Sequence, residues 1–101
     1  MKWEYVILSH RNLISVRASG PFSPGAFEEM IKAIQADEQW RPHMDRIVDF
    51  SAVDLRSTTA QDVLQTVEIH KRYDPLMGNG RIAVVRPFFF DTKKVADLAA
   101  L

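Results

Sequence analysis

Hydrophobic and polar positions change their period along this chain, and each change marks an element. Residues 3–9 and 12–18 are two strand-like runs separated by the polar turn around His10, Arg11 and Asn12, which predicts an antiparallel hairpin. In the second run Ile14, Val16 and Ala18 alternate with Leu13, Ser15 and Arg17, so one face is buried and the other wet. Gly20-Pro21 ends that run. From Phe27 the period lengthens to that of a helix, with Phe27, Met30, Ile31 and Ile34 on one side and Glu28, Glu29, Lys32 and Gln35 on the other. Ser23 then Pro24 supplies the start, because serine satisfies an orphan amide and proline has none to lose. Phe22 and Phe27 flank that start as a hydrophobic staple, and the helix is expected to run to Asp37.

Trp40, Pro42 and His43 fall in a connector that leads to a strand over Arg46 to Phe50 and a loop over residues 51–58. A second helix is expected from Thr58 to Tyr73, with Val63, Leu64, Val67 and His70 or Lys71 along its stripe and Asp74-Pro75 as its stop. Gly78-Asn79-Gly80 turns the chain into Ile82 to Val85, a continuous apolar run of the kind buried on both sheet faces. Phe88 to Phe90 and Asp91 open a third helix containing Val95, Leu98 and Leu101. Strands joined by helices imply parallel pairing with right-handed crossovers. The expected architecture is a single α/β domain over residues 1–101. Its four-stranded mixed sheet opens with an antiparallel hairpin and carries helices mostly on one face.

Composition narrows function by exclusion. At 101 residues, 47% hydrophobic and 26% charged, the chain has average globular usage. Thirteen basic residues balance thirteen acidic ones, which removes the electrostatic footprint of a nucleic-acid binder. The absence of cysteine excludes a disulfide scaffold, a thiolate zinc site and a cysteine nucleophile. His10, His43 and His70 lack local ligand spacing, so no metal is expected. The Gly78-Asn79-Gly80 turn lacks the lysine and hydroxyl of a phosphate loop, and no serine lies in a nucleophile elbow, so neither a cofactor nor an enzyme is expected. Glu4, Ser9 and His10 interrupt the first apolar run, and the longest apolar stretches are strand-sized. No signal peptide or membrane insertion is therefore expected, and the cytoplasm is the expected location.

Residues 47–63, IVDFSAVDLRSTTAQDV, resemble the central signature of the STAS family, the anti-sigma factor antagonist-like domains. In that family an apolar strand ends in an Asp-Leu-Ser-like stretch, and a short loop leads to Asp-Ser-Ser-Gly at a helix start. Here Val48-Asp49-Phe50-Ser51 matches the strand end, and Ser57-Thr58-Thr59-Ala60 falls where Asp-Ser-Ser-Gly stands. The order of elements agrees over nearly the whole chain. The resemblance implies a single-domain bacterial protein that acts as a non-catalytic regulatory or protein-interaction module. It also makes Thr58 the counterpart of the serine that a partner kinase phosphorylates in regulatory members.

Three groups of candidate residues follow. Ser57, Thr58 and Thr59 are either phosphoacceptors or helix caps, since Thr58-x-x-Gln61 and Thr59-x-x-Asp62 both have the form of a capping box. Asp49, Ser51 and Asp54, with Arg56 in the following loop and Arg86 after the last strand, lie towards the edge where crossover sheets bind their ligands. Phe88, Phe89 and Phe90 cannot all face one core, so they either form a homodimer face or close the monomer core. The second functional reading is a carrier or sensor of a small apolar or amphipathic ligand, held between sheet and helices in a pocket lined by Phe27, Met30, Phe50 and Met77.

Overall fold

The expected hairpin forms from β1 (Lys2–Leu8) and β2 (Leu13–Pro21). The computed structural model describes residues 1–86, so the expected third helix and the Phe88-Phe89-Phe90 triplet lie outside the described residues. Ser9–Arg11 make one tight turn between the two strands, and Asn12 closes it with φ 51° in the left-handed region that asparagine tolerates. Helix α1 (Pro24–Ala36) starts as its sequence dictates: Ser23 Oγ accepts from the Ala26 amide at 3.2 Å. Phe22 and Phe27 meet across the cap with ring centroids 6.2 Å apart.

β3 (Asp45–Asp54), α2 (Ala60–Met77) and β4 (Ile82–Val85) complete an open sheet of order β1-β2-β3-β4. The β1-β2 pair is antiparallel, and the β2-β3 and β3-β4 pairs are parallel. Both crossovers step in the same direction across the sheet, so right-handedness puts α1 and α2 on one face. The core lies there. Ile7, Ile14 and Val16 from the sheet meet Phe27, Met30, Ile31 and Ile34 of α1 and Ile69, Tyr73 and Met77 of α2, all buried.

Four expectations about element limits and burial are corrected. Residues 51–54 belong to β3, because the strand continues through a bulge: the register passes from Arg17↔Asp49 to Ser19↔Ala52, with one extra residue on β3. Phe50, ahead of the bulge, packs against the core cluster, and Val53, beyond it, is buried. Helix α2 runs on to Met77, past Pro75. Only two residues follow the proline, and they are held by the burial of Met77 and by the His43 amide donating to the Met77 carbonyl at 2.9 Å. The buried side of α2 is also rotated from the expected stripe, since Ile69, Tyr73 and Met77 are inside while Leu64 is 45% exposed. Finally, β4 is not buried on both faces. It is the edge strand among the described residues, with Ile82 53%, Val84 54% and Val85 47% exposed.

The connector before β3 and the turn before β4 interlock. His43 stands at φ 70°, and its Nδ1 accepts from the Asn79 amide at 2.9 Å. Asp45 then receives the Arg81 amide and guanidinium, both at 2.9 Å. That pair holds the Asp45 carboxyl below its ordinary value, with the side-chain hydrogen bond from Arg81 as the main cause. A carboxyl depressed in the fold adds stability above its unfolded value and loses it as pH falls through the folded one. The Asp45→Asn variant is therefore less stable than the parent at neutral pH, and the gap closes in acid. Urea melts at a series of pH values check this; a gap independent of pH counts against the pair.

Candidate functional site

Residues 54–62 form a loop and helix start built by local hydrogen bonds. Asp54 Oδ1 accepts from the Arg56 amide at 2.9 Å and from Arg56 Nε at 3.0 Å, while Oδ2 accepts from Nη2 at 2.9 Å. A carboxylate matched to both the backbone and the fork of a guanidinium fixes direction as well as distance. Arg56 is pushed above its ordinary value by that hydrogen bond. The Phe22 amide donates to the Asp54 carbonyl at 2.9 Å and anchors the loop to the end of β2.

The choice between the two candidate capping boxes is resolved in favour of the later one. Thr59 is the N-cap: its Oγ1 accepts from the Asp62 amide at 3.1 Å, and Asp62 Oδ2 accepts from the Thr59 amide at 3.0 Å. Thr58 instead closes the preceding turn through its amide to the Leu55 carbonyl at 3.1 Å, and its Oγ1 is shut off from solvent. Ser57 is exposed. Loss of the cap in Thr59→Ala is expected to cost about 1 kcal/mol, whereas Gln61→Ala stays within about 0.5 kcal/mol of the parent. Chemical denaturation of both variants tests the assignment, and the reverse order of effects would transfer the cap to Thr58.

Asp49 and Asp54 accept hydrogen bonds from different partners on either side of the β3 bulge. Asp49 Oδ1 accepts from the Ser51 hydroxyl at 2.6 Å and the Ser51 amide at 2.9 Å, and Arg17 Nε lies 3.9 Å from Oδ2. The Ser51 hydroxyl bond, joined by the Ser51 amide and the charge of Arg17, holds Asp49 below the usual carboxylate range. Such a group stays ionised at neutral pH and is a poor general acid or base there. Arg86 follows Val85, the register partner of Asp49, and is exposed at the same edge. No group of three histidine or acidic side chains that could hold a metal ion occurs among the described residues, and no described helix is long and apolar enough to cross a membrane.

Two side chains gain importance only in three dimensions. Alternation puts Arg17 on the wet face of β2 without naming a partner, and the parallel register supplies Asp49. Half-buried Arg46 points to the helix side between Ile14 and Ile82 in register. Burial pulls its guanidinium below the ordinary value, with Asp74 opposing that shift. A base among apolar strand residues is the only signal of this position in the sequence.

Comparisons with protein families, curated proteins and solved structures return no match.

Proposed function

We propose that this chain is a non-catalytic, STAS-like protein-interaction module that presents the β3–α2 loop to a partner protein. The observation that carries the reading is the Asp54–Arg56 lock, which holds a polar, exposed loop in one geometry at the carboxyl edge of the sheet. A preorganised loop loses little conformational freedom on binding, which favours recognition. Ser57, exposed beside the lock and ahead of the α2 cap, is the position in this loop best suited to a regulatory phosphate. Thr59 is engaged in its cap, and the Thr58 hydroxyl is enclosed. A dianion there sits near the helix amino terminus, where its charge is favoured, yet it adds bulk and charge to the docking surface.

The packing of the core supports this reading over the carrier. Phe27, Met30 and Met77 are buried in one cluster, with Phe50 packed against it and its ring centroid 6.2 Å from that of Phe27. The test is site-specific photocrosslinking in the native cell, with a benzophenone amino acid at Ser57 and a control at exposed Lys71 on α2. A discrete product from position 57, lost when Arg56→Ala removes the lock, is the expected result. Equal labelling from both positions, or none from position 57, counts against the loop. A small molecule retained by the purified protein in native mass spectrometry would select the carrier instead.

A further inference from the structure

The sheet face opposite the helices carries a pattern of its own. Register places its side chains in rows across the strands. One row is Glu4, Arg17, Asp49 and Val85; the next is Val6, Ser15, Ile47 and Ala83. Among the described residues no helix lies over these rows, and Val6 is 51%, Ile47 41% and Val85 47% exposed. The charged row alternates in sign, and Arg17 spends its charge on a loose 3.9 Å approach to Asp49 with its own side chain 71% exposed.

We infer that this open sheet face is the contact surface for a second copy of the chain, with the Arg17 of each copy set against the Asp49 of the other. A twofold axis along the strands, between β2 and β3, exchanges Arg17 with Asp49 because these residues are register neighbours. The same axis lays Val6 on Ala83 and Ile47 on Ser15, large against small in both directions. Two sheets packed face to face keep their strands within about 30° of each other, so contacts near the axis survive the sheet twist. The two arginines and two aspartates then form a closed ring of alternating charge. Each Arg17 gains a second carboxylate, and Asp49 is already held ionised. Mixed signs on this face argue against a strongly charged partner, whereas a rotated copy matches the pattern.

Size sets the expected strength. Four strands spaced about 4.8 Å apart, over roughly 23 Å of strand length, bury about 900 Å² in total between two copies. That is the low end for specific interfaces, so the dimer is reversible and is measured at about 100 µM protein. This inference does not depend on the β3–α2 loop, and its test uses different residues.

Sedimentation equilibrium and native mass spectrometry of the full chain give the test. The parent is expected to populate a dimer at that concentration. Arg17→Asp gathers four acids at the centre of the ring and Asp49→Arg gathers four bases, so each variant alone is expected to be monomeric. An equimolar mixture restores both cross-pairs, and a one-to-one heterodimer is expected; R17D/D49R in one chain also dimerises. Circular dichroism of each single variant separates loss of association from loss of fold. A monomeric parent, a dimer that survives in both single variants, or a mixture that stays monomeric overturns the proposal.

Discussion

Gly80→Ala lowers stability by about 3 kcal/mol, which in a domain of this size lowers the melting temperature by roughly 12–24 °C. A Cβ at Gly80 overlaps the main-chain carbonyl of Met44, an atom that cannot swing aside as a flexible side chain can. Relief requires the turn before β4 to separate from the entry to β3. That separation threatens the His43–Asn79 hydrogen bond and the hydrogen bond from the Arg46 amide to the Arg81 carbonyl at 2.8 Å. Gly25→Ala is the matched control. The nearest neighbour to its Cβ is Ser23 Oγ at 3.9 Å, so alanine fits and the helix gains about 0.5 kcal/mol. Thermal melts of both variants decide the matter, and a fall of less than about 4 °C for Gly80→Ala contradicts the close approach.

Ile14→Ala is expected to cost about 3–4 kcal/mol. Ile14 is 0% exposed on a central strand, and its removal leaves a void bounded by two helices and β1. The surrounding elements are tied by main-chain ladders and cannot collapse far to fill it. Val6, on the neighbouring strand and 51% exposed, is the counterpart, and Val6→Thr stays within about 0.5 kcal/mol. Denaturant titrations at low protein concentration, where association does not contribute, compare the two. Equal losses would mean that the core extends to both sheet faces.

Where one pattern dominated, the fold was legible. The Ser23-Pro24 start, the α1 stripe and the Ile14-Val16-Ala18 alternation each follow from side-chain chemistry within a few residues, and each is found in the structure. Three expectations differ from the structure where local signals point one way and tertiary contacts another. Residues 51–54 read as a loop because Ser51 and Asp54 are polar, yet pairing with Ser19 to Pro21 continues the strand through a bulge that no local pattern announces. Pro75 reads as a helix stop, but burial of Met77 carries α2 two residues further. The α2 stripe was misplaced because Ile69 and Tyr73 are separated by charged residues, so Leu64 weighed more in the pattern than in the packing.

The candidate site was legible in position and less so in its pairings. The threonines at the start of α2 and the Asp54–Arg56 pair are close in sequence, so their contacts can be anticipated from spacing, although the choice of Thr59 as cap depends on the backbone. The Arg17–Asp49 approach joins residues from two strands separated by a whole crossover, and only the parallel register brings them side by side.

The clasp between the β3 entry and the turn before β4 divides the sheet into parts of unequal persistence. Among the described residues β4 contributes four residues, pairs with one strand and contributes no buried side chain to the core, whereas the hairpin and β3 frame that core. Regions with few buried contacts open at lower free-energy cost than the whole domain. Amide protons of Ile82 to Val85 should therefore exchange well before those of Ile14 and Val16. The fourth strand is therefore expected to open ahead of the strands that frame the core, with the clasp setting how often it does so.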